Sequence, residues 1–140
     1  MKHSPSKPLY LPLLSVALIS LSVAGCAAFG PATPEKQVQE RATRFWEARV
    51  KADPAAAYAL LTPAYRSVRT EKEFIRANGG GIAAQKVEVT KVTCEDEKCT
   101  ARVAITGKPS VPGLALPVIT NYMDDTWVPE GGQWWRYITP

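Results

Sequence analysis

Asp124 and Asp125 are adjacent carboxylates that, with a tyrosine hydroxyl opposite, could move a proton. A carboxylate base in an apolar pocket, facing the phenol of Tyr58, Tyr65 or Tyr122 as donor, would suit isomerase or dehydratase chemistry, because desolvation tunes both base and donor. Asp125 with Tyr122 or Tyr65 is the best such dyad. Neighbours on a strand point to opposite faces, so at most one of the two aspartates can enter a pocket. Both also stand near a turn, where solvated carboxylates are common, and the residues therefore favour a structural over a catalytic role. Gly79-Gly80-Gly81 lacks the Lys-Ser/Thr and the following helix of a phosphate cradle, and reads as a turn into the first long strand. The other reactive side chains are His3, the single histidine, and three cysteines, Cys26, Cys94 and Cys99.

What those side chains can do depends on where the chain resides. Lys2 and Lys7 form a positive start, Leu9 to Val23 is an apolar stretch too short to span a bilayer, and Leu21-Ser22-Val23-Ala24-Gly25-Cys26 closes it with small residues before a cysteine. This pattern resembles the signal of bacterial lipoproteins. The resemblance implies cleavage after Gly25, acyl chains such as palmitate on Cys26, and membrane attachment through that anchor. Ala27, not being acidic, resembles the pattern that sends lipoproteins to the outer membrane, facing the periplasm. The expected organisation is a signal over 1–25, a turn-prone tether over 26–33 and one α+β domain over 34–140.

Losing the signal removes two of 17 basic residues, so 15 remain against 13 acidic ones and the net charge falls from +4 to +2. No basic run interleaved with aromatics is present, which argues against nucleic-acid binding. His3 departs with the signal, which excludes Ser-His-Asp and Cys-His triads and leaves no imidazole for zinc, so no metal and no cofactor are expected. Cys94 and Cys99 then remain as a pair in an oxidising compartment. They are expected to form a disulfide across the polar loop Glu95-Asp96-Glu97-Lys98, stapling a hairpin.

The elements that must hold these residues follow from period and capping. Thr33-Pro34 opens a helix in which Val38, Ala42, Phe45, Trp46, Arg49 and Val50 recur at helical spacing, with Glu40/Arg44 and Glu47/Lys51 on the solvated side. Asp53-Pro54 starts a second helix running to Leu61 and stopped by Thr62-Pro63, and a short extended piece covers Tyr65 to Val68. Thr70-x-x-Glu73 is a capping box for a third helix that ends at Asn78-Gly79. Beyond it the period changes to two, over Lys86 to Thr90 and Cys99 to Thr106, with further strands over Leu114 to Trp127 and Gln133 to Thr139. The fold class expected is α+β: three N-terminal helices packed on a curved four-stranded antiparallel sheet with one further short strand.

This order, with Asp-Pro opening a helix, Tyr65-Arg66, Thr-x-x-Glu-Phe, Asp125-Thr126-Trp127 and Gly132-Gln133-Trp134-Trp135-Arg136-Tyr137, resembles the nuclear transport factor 2-like (cystatin-like cone) superfamily. The resemblance covers roughly residues 34–139 and implies a cone with an internal pocket, in a superfamily that often dimerises through its sheet. Most aromatics should be core. Trp134 and Trp135 are neighbours on one strand, so one should face outward, and Trp135 with Tyr137 is the expected exposed binding surface. The function expected is a membrane-anchored, non-enzymatic module that binds a small apolar ligand or a protein partner, either a second copy or an envelope protein. The alternative is a pocket enzyme using Asp125 with Tyr122 or Tyr65.

Overall fold

The computed structural model describes residues 32–140; the signal and Cys26 lie outside the described residues. Thr33 caps α1 (Pro34–Val50) by accepting from the Lys36 amide, and Asp53 caps α2 (Pro54–Tyr58) by accepting from Ala56. Thr70 caps α4 (Glu71–Asn78) with the reciprocal Glu73 contact of a full capping box. The Glu73 carboxyl is held below its usual pKa, chiefly by the Thr70 amide. A depressed carboxylate pKa means stability that is present above the unfolded pKa and lost as pH falls through the folded one. Acidification below pH ~4 should therefore fray the first turn of α4 before the sheet opens. Amide exchange of residues 71–74 measures this, and uniform opening of α4 and the sheet would contradict it.

The expected extended piece at Tyr65 to Val68 is instead a helix, α3 (Pro63–Val68), so among the described residues four helices precede the sheet and no fifth strand stands there. Thr62-Pro63 does not merely stop α2: Thr62 accepts from the Tyr65 amide at 3.1 Å and Pro63 takes the first helical position, the same start signal as at Thr33-Pro34. The second helix is also shorter than expected, because its chain turns at Ala59 to lay Leu61 beside Arg136 in an isolated parallel bridge.

The sheet is a four-stranded antiparallel meander, β1 (Lys86–Glu95), β2 (Lys98–Gly107), β3 (Ile119–Glu130) and β4 (Gln133–Tyr137), in that spatial order. α1 packs across it, and Val38, Ala42 and Phe45 meet Leu61, Phe74, Val103 and Trp127 in one buried core. The expected α+β arrangement is the one found. β3 begins at Ile119 rather than Leu114, with Pro109, Pro112 and Pro117 in the loop before it.

β1 carries a bulge between Val89 and Lys91. Before it, odd-numbered Val87 and Val89 turn to the core; after it, Val92 and Cys94 do. The extra residue also sets Cys94 opposite Cys99, since the Val89↔Val103 register carried on unbroken would pair Cys94 with Lys98. The ladder runs to Glu95↔Lys98, so the turn is Asp96-Glu97, tighter than the expected four-residue loop, with Asp96 at φ 50°. The two cysteines are joined as a disulfide. Reduction should cost about 2 kcal/mol while leaving the domain folded, given so short a loop. Urea unfolding with and without reductant measures the loss, and two freely reactive thiols in the non-reduced protein would contradict the bond.

Candidate functional site

Asp125 sits in the middle of β3 opposite Ala101 and is 2 % exposed. The alternation of β3 turns it inward, together with Trp127, while Asp124 pairs with the exposed Arg102 across the ladder at 3.6 Å. The expected split of the two aspartates between faces is found. The expectation that both are solvated near a turn is corrected: β3 continues to Glu130, and Asp125 lies inside the domain.

Both of its oxygens are engaged. Trp46 of α1 donates Nε1–H to Oδ2 at 2.6 Å, and Arg136 of β4 donates Nη2–H to Oδ1 at 2.6 Å. Arg136 is positioned by the β3–β4 register, which sets it opposite Trp127, and by Leu61, whose neighbours clasp its backbone: Thr62 N–H donates to its carbonyl and its own N–H donates to Leu60. Its guanidinium stacks over Phe45 at 4.4 Å and lies 5.6 Å from the Trp46 ring. A cation, an anion and two aromatic faces thus close on one another, with the charges mutually neutralised. Arg49, also buried, reaches from the end of α1 to the Asn78 and Gly79 carbonyls at the end of α4, where a cation complements the helix terminus. Gly81 is required close by: a Cβ there would stand 2.9 Å from the Arg49 carbonyl and from the Ala52 Cβ. Of the triple glycine, Gly81 is the close-packed member, and Gly79 takes a positive φ of 72° after α4.

The cavity bounded by Phe45, Trp46, Arg49, Phe74, Met123 and Arg136 is about 150 Å³. Sites for small organic ligands occupy roughly 300–1,000 Å³. No tyrosine lines it. Tyr122 is 58 % exposed on the other face of β3, stacked by Arg102 at 5.3 Å, so the Asp125–Tyr122 dyad is divided by the sheet itself. Tyr65 is buried in α3 and faces a separate cleft with Arg69 and Arg76. Tyr58 donates its hydroxyl to the Arg66 and Arg69 carbonyls, tying α2 to the end of α3. Asp125 is thus brought together with Trp46 and Arg136, which the sequence reading did not associate with it, and with none of the tyrosines it did.

The expected exposed aromatics also divide. Tyr137 is 47 % exposed. Trp135 is half-buried beneath two helix guanidinium groups, Arg41 at 4.5 Å and Arg66 at 5.1 Å, and donates Nε1–H to the Glu130 carbonyl at 2.9 Å. It is a covered platform rather than an open anchor, because α1 and α3 both reach the β4 end of the sheet. The exposed apolar surface lies instead on the first half of β3 and just before it, at Val118, Ile119, Tyr122 and Met123. β4 pairs only from Thr126 to Glu130, so among the described strands the edge of β3 from Ile119 to Asp125 opposite β2 has no partner.

No family model and no curated protein matches the chain. Among solved structures it is similar to TsrD from Streptomyces laurentii, at 19% identity over 76% of this chain and 90% of that one, with a TM-score of 0.51. A SnoaL-like protein from Jannaschia sp. CCS1 aligns at 17% identity over 76% and 86% of the two chains, TM-score 0.48. An NTF2-like family protein from Streptomyces avermitilis aligns at 14% over 72% and 89%, TM-score 0.47. The likeness to the S. laurentii protein is one of fold.

Proposed function

We propose that the chain is an exported lipoprotein, held by acyl chains on Cys26 to the periplasmic face of the outer membrane, that serves as a non-enzymatic assembly module for a protein partner. The observation that carries the non-enzymatic reading is the state of Asp125. It is the one buried carboxylate among the described residues, and its oxygens are bound by Trp46 and Arg136. A general base must be within reach of a substrate proton, and here a guanidinium and an indole occupy the positions a substrate would need. The cavity of about 150 Å³ lined by Trp46 and Arg136 is too small for an apolar ligand to settle at this site. The surface suited to that partner is the exposed first half of β3, where an unpaired edge and apolar side chains would accept an added strand. The membrane address rests on the Leu21-to-Cys26 signal.

Two measurements test the proposal. The mature protein from expressing cells should begin at Cys26 with the mass of added acyl groups; an unmodified or uncleaved amino terminus overturns the anchor. A photo-crosslinking residue at position 122 should give a discrete adduct in those cells that is lost when Val118 is changed to Asp, whereas one at position 72 on α4 should give none. An adduct of twice the protein's mass identifies a second copy as the partner. Adducts from position 72 alone, or none from position 122, overturn the assembly surface.

A further inference from the structure

A cavity of about 590 Å³ forms an open cleft between α3, α4 and residues 138–140, away from Asp125. Its polar wall combines Arg69, Arg76 and Tyr65 with Glu73, Asn78 and Thr139. Tyr65 is 5 % exposed, yet its hydroxyl is neither sealed off nor hydrogen-bonded to any described residue, so a buried ring presents an unpartnered donor to the cleft. Buried tyrosines ordinarily find a partner for that hydroxyl. Arg76, in the last turn of α4, has neither an ion pair nor a hydrogen bond among the described residues. Arg69 stands 3.8 Å from Oε1 of Glu73, whose Oε2 takes the Thr70 cap at 2.8 and 2.9 Å. Among the lining side chains, two guanidinium groups stand against one carboxylate. Burial raises the Tyr65 phenol pKa, with Arg69 acting in the opposite sense, so the hydroxyl keeps its proton at neutral pH and remains a donor. Ala77 and Ile138 supply apolar wall beside these donors.

We propose that this cleft binds an oxyanion, carboxylate or phosphate, carried on a small apolar body. Guanidinium forks match the paired oxygens of either group, the Tyr65 hydroxyl supplies a third donor, and Ala77 and Ile138 take the apolar part. The volume lies in the range of small-molecule sites. The proposal is independent of the β3 surface and of the anchor, since neither contributes a residue to the cleft.

The test is calorimetric titration of the full chain in neutral detergent with phenyl phosphate, benzoate and glycerol phosphate, against benzyl alcohol as the uncharged control. Saturable binding of at least one anion is expected, with none of benzyl alcohol. Arg76→Gln should weaken binding about tenfold or more, the scale of one charge-assisted hydrogen bond, and Tyr65→Phe, which keeps the ring and hence the fold, about fivefold. Lys72→Gln, the same charge change on an exposed position of the same helix, should alter it by less than about twofold. Preference for glycerol phosphate assigns a lipid-type head group as the source, and preference for benzoate or phenyl phosphate assigns a free organic anion. The proposal is overturned if no anion saturates, if benzyl alcohol binds as tightly, or if Lys72→Gln is as damaging as Arg76→Gln.

Discussion

Asp125→Ala is expected to lower the unfolding free energy by about 3–5 kcal/mol, the scale for removing one partner of a buried ion pair. The loss arises on the side that remains. Arg136 has a side chain only 12% exposed, pinned between the rings of Phe45 and Trp46 and clasped through its backbone by Leu60 and Thr62, so it cannot swing into solvent when its counter-ion is removed. Its buried Nε already lacks a partner among the described residues, which leaves Asp125 as the recorded side-chain partner of the guanidinium. The Trp46 indole N–H would be orphaned as well. Asp125→Asn keeps an acceptor for Trp46 but not the charge, and should be milder, about 1.5–3 kcal/mol. A double replacement, Asp125→Leu with Arg136→Met, should recover much of the deficit, because an apolar pair of similar volume avoids the desolvation of both charges. Urea unfolding midpoints at constant slope provide the measurement. A catalytic carboxylate behaves in the opposite way: its site is held at a cost to stability, and neutralising it tends to leave the fold unchanged or firmer. An Asp125→Asn protein as stable as the parent would therefore return the pocket-enzyme reading to first place.

On the proposed anchoring, Cys26→Ser should convert a membrane-retained protein into one recovered in the soluble periplasmic fraction, with loss of the acyl mass. Each buried methylene contributes about 0.8 kcal/mol, so a single chain holds a protein only reversibly while two or more hold it firmly. No helix of the described residues is long and apolar enough to cross a membrane, so nothing in that part of the chain offers a helical substitute for the lipid. Retention of the Cys26→Ser protein in the membrane fraction with an unchanged mature mass would remove the lipoprotein reading. Retention with the acyl mass lost would instead point to the apolar stretch before Cys26, left uncleaved, as the anchor.

The helix starts were legible because each is a local contract between a side-chain oxygen and amides two or three residues ahead. Thr33, Asp53 and Thr70 announce α1, α2 and α4 without help from the rest of the molecule. Thr62-Pro63 carries the same signal, but in sequence it serves equally as a stop, because Pro ends one helix and begins another with equal force. The bulge in β1 was also written in the chain, as the shift of apolar residues from odd positions at Val87 and Val89 to an even one at Val92.

The site was legible only in part. That Asp124 and Asp125 must face opposite ways follows from strand geometry alone, whereas the pairing of Cys94 with Cys99 follows from their being two cysteines close in sequence at a hairpin end. Which aspartate turns inward, and what meets it, depends on the register of β3 with β4 and on the seating of α1 over the sheet. Trp46 and Arg136 are 79 and 11 residues from Asp125 in sequence, and no local pattern links an indole on one helix and a guanidinium on the last strand to one carboxylate. Trp135 shows the same limit: alternation assigns it a side of its strand, but the arginines that cover it come from α1 and α3. Caps, periods and turns are settled by neighbours along the chain, and the sequence alone determines them. A buried charge or a covered ring is settled by whichever elements pack against it, and only the tertiary structure decides that.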